Sequence, residues 1–138
     1  MPNTKAVGVA FSDPQFDSLT VTGATSLQAT TATTVTASTN LVIASATVAA
    51  TGSSNTDAAT VAGGFTLVTA ADATKGVILS APVAGTVVII KNGDAANAVL
   101  KVYPNSGASI NALTATTGGY SMAAKTSMIL VAYSATQW

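Results

Sequence analysis

Apolar and polar residues alternate along much of this chain, and the pattern changes near residue 56. From 19 to 50 it recurs every eight residues. Leu19, Leu27, Val35 and Ile43 head four successive octets, and Val21, Ala29, Ala37 and Ser45 stand two places on. Thr fills much of the space between. Period-two patterning with β-branched residues predicts extended strand. No acid–base pairs at helical spacing favour a helix, and the Thr density opposes one. A single ribbon of this kind has few large apolar residues to set against roughly 1–2 kcal/mol of backbone entropy per ordered residue. Three copies wound about an axis would turn the octet heads inward together, which predicts a trimeric β stem over 19–55. The competing reading is a flexible Thr/Ala linker.

Thr51-Gly52-Ser53-Ser54-Asn55-Thr56 is a breaker cluster and marks the expected boundary. Beyond it, short apolar runs separated by Gly, Pro and Asn predict strands at Ala58–Val61, Phe65–Thr69, Gly76–Ser80, Thr86–Lys91, Ala98–Tyr103, Ser109–Leu113, Gly119–Met122 and Ser127–Ser134. This spacing predicts a small antiparallel β-sandwich or jelly-roll-like head over 56–138. Thr86–Lys91 and Ala98–Tyr103 are expected to pair antiparallel across Asn92–Asn97. Val87-Val88-Ile89-Ile90 and Met128-Ile129-Leu130-Val131 are apolar at every position, where an antiparallel sandwich normally leaves one face wet. They are either central strands under a covering loop or strands covered by a neighbouring subunit. On the second reading Val88, Ile90, Ile129, Val131 and Trp138 join Leu19, Val21, Leu27, Val35 and Ile43 as trimer-interface residues.

Residues 1–18 read as an extended arm, since Pro2 and Pro14 oppose a helix. Phe11 and Phe16 flank the turn-like Ser12-Asp13-Pro14. They either pack on the adjacent stem or anchor the arm on a larger assembly, with Phe11, Asp13, Pro14 and Phe16 as the anchor. The short apolar patch near the start is too brief for a secretory segment, which predicts a protein made in a cytoplasm.

Composition narrows the chemistry. The 138 residues include 28 Ala, 23 Thr and 13 Ser, and their net charge is zero, from five Lys against five Asp. There is no Arg, Glu, His or Cys. Disulfides, thiolate nucleophiles and zinc–thiolate sites are excluded. So are imidazole bases or ligands and guanidinium clamps. The zero net charge gives no electrostatic footprint for nucleic acid or an anionic membrane. No stretch reaches the roughly 18–20 apolar residues of a membrane-spanning helix. The mean hydropathy of +0.51 sets the chain apart from charged disordered sequences. So little charge leaves Ser, Thr or a partner to cover the surface, which points to assembly.

Asp13, Asp17, Asp57, Asp72 and Asp94 are well separated, and no run of acids resembles a calcium loop. Asp72 and Asp94 sit in turn-like segments, and Lys75, Lys91 and Lys101 read as solvated strand or turn ends. No serine elbow or phosphate-binding glycine loop is present. Tyr103, Tyr120, Tyr133 and Trp138 suit either core and interface or a sugar platform. The expectation is a non-enzymatic protein without cofactor or metal.

Residues 19–45 resemble the Leu-Thr-Val-Thr-Gly repeats of stalks in tailed-phage structural proteins. Residues 76–138 resemble a small β head of phage fibre and capsid-decoration proteins. The likeness is carried by Ala84-Gly85-Thr86-Val87-Val88-Ile89-Ile90-Lys91-Asn92, Ala98-Val99-Leu100-Lys101-Val102-Tyr103-Pro104, Ile110-Asn111-Ala112-Leu113 and Ala132-Tyr133-Ser134-Ala135-Thr136-Gln137-Trp138. The resemblance implies a homotrimer on the virion exterior. The short stem and single head favour a capsid decoration, or cement, protein that binds the major capsid protein. The alternative is a short tail- or head-fibre adhesin binding host glycans.

Overall fold

The computed structural model describes residues 22–23, 32–61 and 63–138. The chain divides into two units, 1–38 and 39–138. The described residues of the first unit are exposed and carry no strand. Phe11, Asp13, Pro14, Phe16, Leu19, Val21 and Leu27 lie outside the described residues.

The second unit is all-β, with no helix among the described residues. Its strands are β1 (Ser45–Ala49), β2 (Ala59–Thr60), β3 (Gly64–Thr69), β4 (Gly76–Ile78), β5 (Val87–Asn92), β6 (Leu100–Tyr103), β7 (Tyr120–Met122) and β8 (Ser127–Val131). They form two four-stranded sheets, ordered β1-β3-β5-β8 and β2-β4-β6-β7. From β1 to β6 the chain shuttles between the sheets, adding one strand to each in turn, before β7 joins β6 in the second sheet and β8 returns to the first. Parallel neighbours require a long crossover, and here each crossover contains a strand of the opposite sheet. Ser45, Phe65 and Ile89 therefore lie side by side in one row, and Ala59, Val77 and Val102 in another. β7 and β8 reverse direction and close each sheet with an antiparallel edge.

This topology corrects the antiparallel, jelly-roll-like expectation. The β1–β3, β3–β5, β2–β4 and β4–β6 ladders are all parallel. The expected pairing of Thr86–Lys91 with Ala98–Tyr103 does not occur, because β5 and β6 belong to opposite sheets. The loop between them is a passage from one sheet to the other. Ser109–Leu113 is not a strand: Ser109 makes an isolated bridge to Gln137, and the chain then turns through Asn111 at φ 50°. Strand β1 comes from the Thr/Ala-rich stretch assigned to the stem, and the compact unit begins at Thr39.

The core lies between the sheets. Val68, Val88, Ile90 and Leu130 enter from the first sheet, and Val77, Leu100, Val102 and Met122 from the second. Val61, Leu79, Ile110 and Trp138 fill in from connections. Each fully buried Val, Leu or Ile contributes about 1.5–3 kcal/mol of apolar transfer. Asn92, at the end of β5, stitches the sheets together. Its Nδ2 donates to the carbonyls of Ala98 (2.9 Å), Ala123 (3.2 Å) and Met122 (3.4 Å), and its Oδ1 accepts from the Asp94 amide.

Candidate functional site

In β5 the buried side chains alternate with exposed or half-buried ones, as the two-residue period of a strand requires. Val88 (2% exposed) and Ile90 (0%) point into the core. Val87 and Ile89 face the other way. In β8, Leu130 points inward, while Ile129 and Val131 face outward. The registers Val87↔Val131 and Ile89↔Ile129 pair these outward residues directly. Phe65 of β3 extends the Ile89 row. The outer face of the β5–β8 corner is thus an apolar patch, with Val87 48%, Ile129 68% and Val131 50% exposed. Lys91, opposite Ser127, bounds it at one end.

The hydrogen-bond phase of this ladder follows from its flanks. Ala132 N–H donates to Thr86 O, and Asn92 N–H donates to Thr126 O. Both residue pairs continue the β5–β8 register, so the bonded pairs between them are Val88/Leu130 and Ile90/Met128. The outward pairs are the closer, non-bonded kind, which brings their side chains together. The main-chain groups of Ser127, Ile129 and Val131 consequently point away from β5, along the open edge of the sheet.

The polar groups form local structure. Asp57 Oδ1 accepts from the amides of Ser53 (3.1 Å) and Ser54 (2.8 Å) and from Ser54 Oγ (2.6 Å). The Ser54 hydroxyl first, and then these amides, hold its carboxyl below the usual range. Asp72 accepts from Thr74 Oγ1 (2.7 Å) and the amides of Thr74 and Lys75, and its second oxygen lies 3.0 Å from Lys75 Nζ. The Thr74 hydroxyl leads in holding that carboxyl well below its ordinary value. Asp94 is buried and accepts from the Ala98 amide. Lys125 Nζ donates to the Asp94 carbonyl, Lys91 Nζ to the Lys125 carbonyl, and Lys101 Nζ to Ser121 Oγ. Tyr103 lies across Gly76 of β4 and Gly119, which immediately precedes β7. A Cβ on Gly76 or Gly119 would approach its ring to 2.6 or 2.7 Å. Its hydroxyl donates to Ser53 O at 2.6 Å, and burial, then the Asp57 charge, raises its pKa. Among the described residues, no three Asp side chains gather where a metal ion would need them.

The described residues assigned to an interface on sequence separate into three groups. Ile129 and Val131 lie together on the exposed outer face. Val35 and Ile43 are exposed, outside any strand. Val88, Ile90 and Trp138 (3% exposed) pack in the core of a single chain. Tyr120 and Tyr133 are exposed, with the Tyr133 hydroxyl donating to Gln137 Oε1 at 3.1 Å. Sequence reasoning missed Val87, Ile89 and Phe65 as members of the patch. A strand apolar at every position does not reveal its own phase, but Lys91 in the outward row was an available marker.

No family model, characterised protein or solved structure matches this chain.

Proposed function

We propose that this chain is a non-enzymatic structural protein of a tailed-phage virion, a capsid decoration protein. On this reading its copies assemble as homotrimers through the part of the expected stem that precedes β1, with the arm bearing Phe11, Asp13, Pro14 and Phe16 against the major capsid protein. The observation that carries the reading is the apolar outer face of the β5–β8 corner. A chain with only ten charged residues that also presents Val87, Ile129 and Val131 to solvent suits a permanent assembly better than a freely diffusing catalyst. The described polar side chains give the same weight, since Asp57 and Asp72 are spent on closing their own turns.

The test is reconstitution on heads of the cognate phage stripped of their outer proteins. The full chain should bind at fixed stoichiometry and raise the temperature at which the heads release DNA. Loss of binding on deleting residues 2–18, with the oligomer intact, would identify the arm as the anchor. A chain that binds no head, or leaves head stability unchanged, would refute the decoration role. Exposed Tyr120 and Tyr133 favour a second reading, an adhesin stacking on host glycans. Saturable retention on a glycan array, lost in the Tyr133→Ala variant, would support it.

A further inference from the structure

Among the described residues no strand pairs with the outer edge of β8, which is more apolar than the edge of β1 and longer than those of β2 and β7. Natural sheets guard their edges with short strands, charges, prolines or bulges. β2 has two residues and β7 three, so both edges are short. β1 turns only Ser45, Thr47 and Ala49 outward. β8 runs Ser127-Met128-Ile129-Leu130-Val131 without a charge, a proline or an interruption of its register. Its free amides and carbonyls belong to Ser127, Ile129 and Val131, the residues whose side chains lie on or beside the apolar patch.

We propose that the β8 edge is a homotypic docking strand, joining the heads of two copies of this chain antiparallel about a two-fold axis through Ile129. The strand is symmetric in its needs. Ile129 would face Ile129 of the second copy, and Ser127 would face Val131, so every outward main-chain group of both edges gains a partner. The pairing is isologous and closes on itself. It converts two sheets into one of eight strands and aligns Ile89, Ile129 and their counterparts in one apolar row.

Charge fits a second copy as the occupant. The patch presents no ionisable group of its own, and the whole chain is neutral, so two copies meet without net repulsion. Lys91, at the end of the patch, would lie about 20 Å from its counterpart, from strand spacings of ~4.8 Å and rises of ~3.3 Å per residue. That exceeds the Debye length of ~8 Å at physiological ionic strength. Lys125, the nearest charge along the strand, is drawn back onto its own chain's Asp94 carbonyl. A partner chosen by opposite charge would find nothing on this edge to read.

This contact is separate from a stem trimer, although it would bridge neighbouring trimers on a capsid, where tethering raises the effective concentration of heads. Two-fold head contacts between three-fold stems produce a net, so the inference deepens the decoration reading without depending on it.

Cysteine mapping tests it in the full chain, which has no native Cys. Residue 129 is the one β8 position that would oppose itself, within the Cα separation a disulfide accepts. Ile129→Cys should oxidise to a linked pair of twice the 13.5 kDa chain mass at least tenfold faster than Val83→Cys, an exposed apolar site off the edge. Ser127→Cys mixed with Val131→Cys should cross-link faster than either alone. Ile129→Pro removes an amide donor that only a partner would use, so it should leave circular dichroism unchanged while lowering the concentration-dependent part of the mass. Any mass that persists in Ile129→Pro belongs to the stem and reports on the trimer alone. Equal oxidation of Ile129→Cys and Val83→Cys, or faster self-linking of Ser127→Cys, would overturn the two-fold β8 contact.

Discussion

Replacing Asn92 by Asp is nearly isosteric but reverses the polarity of the group that joins the two sheets. Asn92 is fully buried, and its amide supplies protons to three carbonyls, those of Ala98, Met122 and Ala123. In the Asn92→Asp variant at pH 7 the ionised carboxyl has no proton to give and turns an oxygen toward the same three acceptors. Each buried polar group left unsatisfied costs about 1–3 kcal/mol, and the uncompensated buried charge adds to that. Part of the cost is relieved by local shifts, so the expected loss is about 3–5 kcal/mol, a large share of the ~5–15 kcal/mol that stabilises an ordinary domain. The sign with pH is diagnostic. Burial among carbonyls raises the folded pKa of the variant's carboxyl, so its stability is greatest at low pH and is lost as pH rises through that value. The deficit relative to the parent chain should narrow between pH 7 and pH 5. Asn92→Ala should lose a comparable amount with no such narrowing. Urea unfolding followed by the fluorescence of Trp138, the chain's one Trp, measures both. Protomer concentration must be held constant, since association adds to apparent stability. A deficit under about 1 kcal/mol at pH 7, equal at pH 5, would refute the idea that the Asn92 amide is a needed donor to these carbonyls.

Trp138 packs in the core, but its Nε1 has no hydrogen-bond partner. Trp138→Ala should cost about 3–5 kcal/mol. Trp138→Phe should lie within about 1 kcal/mol of the parent by thermal unfolding, because it sheds a donor whose burial costs about 1–3 kcal/mol. Tyr103→Phe should lose about 1 kcal/mol with its bond to Ser53. Because the Tyr103 pKa is raised, its contribution holds below the ordinary phenol value and is lost as pH climbs above about 10, so the variant should show a shallower alkaline transition. The depressed carboxyls of Asp57 and Asp72 act at the other end. Their contribution is full above about pH 4 and disappears as pH falls through the folded values. An Asp57→Asn, Asp72→Asn double variant should flatten the acid limb of an unfolding-versus-pH curve.

The strands were legible because each is a short apolar run bounded by a breaker. Phe65–Thr69 sits between Gly63-Gly64 and the 70–76 turn, and Thr86–Lys91 between Gly85 and Asn92-Gly93. The direction in which they pair was not legible. Local alternation is the same whether a neighbour runs parallel or antiparallel, and only the crossovers, strands of the opposite sheet here, distinguish the two. The membership of β1 in the head was hidden by composition, since Ser-Ala-Thr-Val-Ala reads as more of the preceding repeat. Trp138 looked like an interface aromatic because its burial depends on long-range contacts. Main-chain bonds from Ser109 and Asn111 hold the 136–138 segment beside the 109–111 turn. The patch was half legible. Its strands stood out as too apolar, but their phase had only Lys91 as a marker, and the burial of Val88 and Ile90 shows that Val87 and Ile89 are the residues left outside.

The proposed stem trimer and β8 contact both require copies of this chain to assemble. The most direct test is the absolute mass of the full chain by light scattering over a wide concentration range. A stem trimer joined through β8 gives three times 13.5 kDa at the lowest concentrations, rising with concentration in the parent chain but not in Ile129→Pro. A mass of 13.5 kDa at every concentration would contradict it, leaving Val87, Ile129 and Val131 as an ordinary solvent-facing surface.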